Sequence, residues 1–126
     1  MTREDKQLLL VDLCGRLPYG VILNCCNTVG EKLTAIDENG LINHDYDIDE
    51  VKPYLFPLSS MTERQCYELS AIRSSFQDSW KYIKTPIPLS ICNFEQIEWF
   101  HKNHFDYRGL IEKGLAIDAT GLNIYG

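Results

Sequence analysis

The sequence predicts an α+β fold, with a small antiparallel sheet over residues 21–46 packed by helices from both ends of the chain. Three observations lead there. Residues 17–58 hold several short β-favouring runs separated by Gly, Asn and Pro; the flanking segments carry apolar residues at helical spacing; and 126 residues fit one domain. A domain of this size buries about 65% of the surface its unfolded chain exposes, so it needs neither disulfide nor metal to fold. One domain is expected over residues 1–126, with a flexible tail at 120–126.

Thr2 and Asp5 have capping-box spacing and open a helix over residues 2–14, with Gly15 and Pro18 as its stop. On a helical wheel Leu8, Leu9, Leu10, Val11, Leu13 and Cys14 cover most of the circumference and leave Asp5, Asp12 and Arg16 as a narrow polar strip. Such a helix is either sandwiched between two elements or forms a homo-oligomer interface. Strands follow at 21–27, 32–36 and 41–46. Asp37-Glu38-Asn39-Gly40 is the clearest hairpin signal, and a loop with Gly40 left-handed sets Ile36 opposite Ile42. Asp49 is placed to cap a short turn through Val51 and Lys52. Tyr54, Leu55, Phe56 and Leu58 read as an apolar strap closing one end of the core, because Pro53 and Pro57 interrupt regular structure.

Ser60 and Glu63 have the spacing to open a second helix over 61–77, and residues 78–92 read as a crossing segment. Asn93 and Gln96 start a third helix over 94–103. Asp106 caps a fourth over 107–113, Gly114 stops it, and residues 115–117 return as a short strand.

Charge is uneven. Twelve basic and eighteen acidic residues give −6, and the six acids between Asp37 and Glu50, with no Lys or Arg among them, account for the whole excess. Phosphate backbones are bound by clustered Lys and Arg, so direct nucleic-acid binding is disfavoured. A basic protein partner suits the acidic stretch, and so does imitation of nucleic-acid charge towards a DNA-binding protein. The apolar run at residues 8–11 is too short for a secretory signal or a membrane span, which predicts a cytoplasmic protein. Five cysteines, with Cys25 and Cys26 adjacent on a strand, predict reduced thiols.

Several groups carry candidate chemistry. His101, His104 and Asp106, with Glu98 nearby, have the ligand types zinc prefers and would serve a small metal-dependent enzyme. The two histidines are three residues apart, where a helical zinc pair needs four, and they share the stripe of Phe94, Ile97 and Phe100; packed histidines fit better. Asp45-Tyr46-Asp47-Ile48-Asp49 begins like a calcium loop, but Glu50 stands where Gly is needed and Phe56 where Glu is needed. Cys25 or Cys26 would need His44 as a base to act as a nucleophile. No cofactor motif is present. Trp99 projects among Glu95, Gln96, Lys102 and Asn103 and, with Tyr107 and Arg108, has the composition of a docking surface; the other outcome is burial beneath residues 78–92.

LPYGV at 17–21, DIDEVKPYLFPLSSMTE at 47–63 and WFHKNHFDYRGLIEKGLAIDA at 99–119 resemble an uncharacterised group of short proteins encoded by gut bacteria and their phages or other mobile elements. The likeness spans most of the chain and implies a small intracellular accessory protein, without supplying an activity. The leading expectation is a non-enzymatic protein-binding module. Its candidate contacts are Asp45, Asp47, Asp49 and Glu50, or Trp99, Tyr107 and Arg108. The alternatives are the metal enzyme and the nucleic-acid mimic.

Overall fold

The computed structural model describes residues 1–26, 28–65, 68 and 94–125. Its first element, α1 (Arg3–Arg16), starts at the expected capping box: the Thr2 hydroxyl accepts from the Asp5 amide at 3.0 Å, and Asp5 accepts from the Thr2 amide at 3.4 Å. Gly15 does not end it. The helix runs on to Arg16 and tightens into a 3-10 turn at Leu17–Tyr19, and the stop is Gly20, left-handed at φ 68°.

The sheet is mixed, where a purely antiparallel one was expected. Five strands, β1 (Ile22–Cys25), β2 (Thr28–Lys32), β3 (Val51–Pro57), β4 (Phe105–Asp106) and β5 (Ile117–Asp118), run in the order β2-β1-β3-β4, and β5 also pairs with β3. β1 lies antiparallel to β2 and β3, whereas β4 and β5 run parallel to β3. The apolar strap is thus the central strand. Its prolines fit because ladder bonds alternate: Cys26 N donates to Glu50 O at 3.0 Å, which puts the hydrogen-bonded pairs at 26/50 and 24/52, and Pro53 opposite Leu23 falls at a position where β1 requires no amide.

The expected third strand at 41–46 is reduced to isolated bridges, Ile36 to Ile42 and Ile42 to Tyr46. The hairpin register and the left-handed Gly40, φ 79°, are as expected. The ladder fails beyond because Asn43 and His44 are themselves left-handed, at φ 53° and 63°. Asn43 substitutes for a strand with its side chain: Oδ1 accepts from the Thr34 and Ala35 amides at 2.7 and 3.2 Å, and Nδ2 donates to Lys32 O at 2.9 Å.

Other boundaries shift for local reasons. The turn before β3 is a 3-10 helix at Ile48–Glu50, opened at Asp47 instead of Asp49, with the Glu50 carboxylate accepting from the Asp47 amide at 2.9 Å. At residues 62–65 the reciprocal cap is Thr62 with Gln65, two residues later than the expected Ser60 and Glu63 pair. Most of the helix expected over 61–77, and all of 78–92, lie outside the described residues. α2 (Phe94–Lys102) follows the 94–103 expectation closely. Asp106 caps as expected, its carboxylate accepting from the amides of Arg108, Leu110 and Ile111, but the segment after it forms turns and no regular helix, since Gly109 sits at φ 79°.

Among the described residues, the buried apolar side chains form two clusters. The larger joins Leu9 and Leu13 of α1 to Leu23, Val51, Leu55, Leu110 and Leu115; the smaller joins Leu58, Phe100, Phe105 and Tyr107, with Trp99 against it. Residues 120–125 do not form a free tail. Tyr125 returns to the sheet, its hydroxyl accepting from Ile22 N at 2.9 Å and donating to Tyr54 O at 2.7 Å, while its ring stacks on His104.

Candidate functional site

Of the polar strip read on α1, Asp5 stays at the capping box near the surface while Asp12 and Arg16 face inward. Asp12 and Arg16 are both fully buried, while apolar Val11 is about half exposed and Leu8 and Leu10 are partly covered. A helix wheel counts polarity and cannot register that residues four apart neutralise each other, which makes the pair cheaper to bury than either charge alone. Arg16 Nε donates to Asp12 Oδ2 at 2.7 Å and Arg16 Nη2 to Asp12 Oδ1 at 3.2 Å; Nη2 also donates to Phe105 O at 2.7 Å. Arg108 Nε reaches the same Asp12 Oδ1 at 3.0 Å. Both guanidiniums lie over the Tyr107 ring, at 5.6 Å for Arg16 and 5.0 Å for Arg108. One carboxylate and one aromatic ring thus hold two cations, joining α1 to β4 and the turn beyond it.

This cluster claims two of the expected docking residues. Tyr107 is buried and shares a 2.7 Å hydrogen bond with His101 Nε2, and Arg108 is half-buried against Asp12. Neither forms an open face with Trp99.

The metal candidates are also drawn into the fold. His101 is buried with Nε2 on Tyr107, His104 stacks on Tyr125, and both carboxylate oxygens of buried Asp106 serve backbone amides. Burial, reinforced by the Arg16 charge, lowers both histidines from 6.5 to about 4, so both are neutral at pH 7. Among the described residues no three His, Cys, Asp or Glu side chains converge as metal ligands.

Asp45, Asp47, Asp49 and Glu50 are exposed, as a docking stretch requires. Their charge is less bare than the sequence implies. Lys6 of α1 stands 3.8 Å from Asp49, and Arg3 and Lys6 line the same cleft as Asp47 and Asp49. Glu50 accepts from the Cys26 thiol at 3.4 Å, and this hydrogen bond pushes the thiol's pKa up. His44, the base that Cys25 or Cys26 would need, faces Asp37 at 3.8 Å instead. Cys14, Cys25 and Cys26 are free thiols.

Trp99 remains. It is half-buried, with its ring stacked parallel to Phe105 at 5.6 Å and 5° and in a T-shaped contact with Phe100. It also lines a groove of about 340 Å³ together with Tyr19, Glu95, Glu98 and Lys102. Tyr19 comes from the 3-10 turn after α1, and its hydroxyl donates to Glu98 Oε1 at 2.5 Å, a bond that raises the Tyr19 pKa. The three charged residues project from α2 at positions 95, 98 and 102, spacings that set them on the Trp99 side of the helix. The sequence located Trp99, Glu95 and Lys102 together. It gave no sign of Tyr19, which is 79 residues from Glu98 and carried there by the end of α1.

These elements define a small α+β protein with a mixed five-stranded sheet, a buried Asp-Arg cluster and one groove walled by aromatics and carboxylates. No protein-family model, curated protein or solved structure matches the chain. None of the described helices is long and apolar enough to cross a membrane.

Proposed function

We propose that the protein is a non-enzymatic protein-binding module, a small accessory protein of bacterial or phage origin that docks its partner at the Trp99 groove. The observation that carries this reading is the pose of Trp99. Its ring is held flat against Phe105, so little rotamer freedom is left to lose on binding, while the groove beside it keeps the residue accessible. Rigid, partly covered tryptophans are favoured anchors at the energetic centres of interfaces.

Competing readings lose their parts to the fold. A metal enzyme would have to draw on His101 and Asp106, both buried and already hydrogen-bonded to Tyr107 and to backbone amides. A nucleic-acid mimic needs uncompensated acid, and Arg3 and Lys6 stand beside Asp47 and Asp49.

Affinity capture from nuclease-treated lysate of the source cells tests the reading. A partner is expected with the wild-type chain, retained when Asp45, Asp47 and Asp49 become Asn, and lost with Trp99→Phe combined with Glu95→Lys. Retention by the groove variant, with loss on neutralising the aspartates, moves the interface to the acidic stretch and sinks this proposal.

A further inference from the structure

The groove's charges point to the chemistry of its occupant. Glu95 and Glu98 bring two carboxylates against the single ammonium of Lys102, and Lys102 stands beyond ion-pair distance of both. Tyr19 takes one oxygen of Glu98, leaving Oε2 without a hydrogen-bond donor among the described residues. Glu95 is exposed and has no partner among them. A net negative groove with a fixed indole wall is complementary to a cation that is flat on one side and forked on its edge.

We propose that the groove takes the guanidinium of an arginine side chain presented by a basic segment of the partner protein; this rests on the protein-binding reading above. The guanidinium lies along Trp99, and its N–H groups donate to Glu98 Oε2 and to Glu95. The chain already solves the same problem internally, where Asp12 and the Tyr107 ring hold the guanidiniums of Arg16 and Arg108. Arginine suits the groove better than lysine, because a planar fork meets carboxylate and ring together while an ammonium is a compact, strongly hydrated point charge. Lys102 at the rim leaves charge for one cation, so a segment offering a single arginine between small residues fits better than a polybasic run.

The test is titration of the ¹⁵N-labelled protein with three glycine-serine peptides that differ only at a central residue, arginine, lysine or citrulline. Saturable shifts are expected at the Trp99 indole N–H and the Glu95 and Glu98 amides for the arginine peptide. Lysine should bind about tenfold more weakly and citrulline, the neutral isostere, not measurably. Glu95→Gln with Glu98→Gln should abolish the shifts with the thermal midpoint little changed, since both side chains are at the surface and an amide oxygen at position 98 still accepts from the Tyr19 hydroxyl. Equal binding of citrulline, or shifts confined to Asp45–Glu50, overturns the arginine assignment. A lysate partner that is lost with the groove variant yet is not competed away by the arginine peptide overturns this inference and leaves the docking site standing; no partner and no peptide binding overturn both.

Discussion

The Tyr125 hydroxyl donates to the Tyr54 carbonyl at 2.7 Å at the point where the β1-β3 ladder would have placed its own bond. The register Leu23 to Pro53 and Asn24 to Lys52, carried one pair further, sets Ile22 against Tyr54 as a hydrogen-bonded pair. The strands instead open around the phenol, which accepts from Ile22 N and donates to Tyr54 O. Tyr125→Phe keeps the stack on His104 but strips both backbone groups of their partner. A loss of about 2 kcal/mol is expected in urea unfolding at pH 7. Burial pushes Tyr125 from 10 to about 12, so its contribution is complete below pH 10 and erodes as pH rises towards 12, a dependence the Phe variant should lack.

The Asp12 carboxylate is the only anion bonded to either guanidinium among the described residues, so its removal should be costly. Asp12→Asn leaves Arg16 fully buried and Arg108 half-buried around a neutral amide. Expected destabilisation is about 3–5 kcal/mol, with Arg16→Ala costing a similar amount. A double-mutant cycle with Asp12→Ala and Arg16→Ala should return a coupling of about 2 kcal/mol or more; a coupling near zero would show that the cluster contributes by packing alone.

Gly15 sits inside α1, where helix propensity favours alanine by about 1 kcal/mol. An added Cβ would lie 2.5 Å from His101 Cε1, and that ring is fixed by burial and its bond to Tyr107. Overpacking of a fixed core side chain costs about 1–3 kcal/mol, so the clash outweighs the propensity gain. Gly15→Ala should therefore lower the thermal midpoint, and Gly15→Ala made with His101→Ala should be no worse than His101→Ala alone.

Local chemistry was readable in the sequence where it is self-contained. The Thr2-Asp5 cap, Gly40 in its loop, α2 and the capping role of Asp106 all depend on residues within five positions of each other. Long-range relations were not. Tyr54, Leu55, Phe56 and Leu58 read as a strap because Pro53 and Pro57 interrupt regular structure, and only pairing with β1 reveals that Pro53 occupies a position needing no amide. Asp12 and Arg16 read only as a narrow polar strip because a wheel shows no tertiary partner, and Arg108 and the Phe105 carbonyl lie about ninety residues away. Trp99 was legible as an odd residue on a polar face; Tyr19, which lines the same groove, was not.

Acid should unfold the protein through its two neutral histidines. His101 and His104 are lowered from 6.5 to about 4, first by burial and then by the Arg16 charge. Between those values the unfolded chain binds protons that the folded chain refuses, so stability is complete above about 6.5 and falls as pH drops towards 4. Each histidine should account for about 1–3 kcal/mol over that window. Urea unfolding at intervals from pH 7 to 4 measures the slope directly. His101→Gln, whose amide can still bond the Tyr107 hydroxyl, should be less stable at pH 7 but should lose roughly half of the pH dependence. An unchanged slope in that variant would show that protonation of His101 does not drive the acid unfolding.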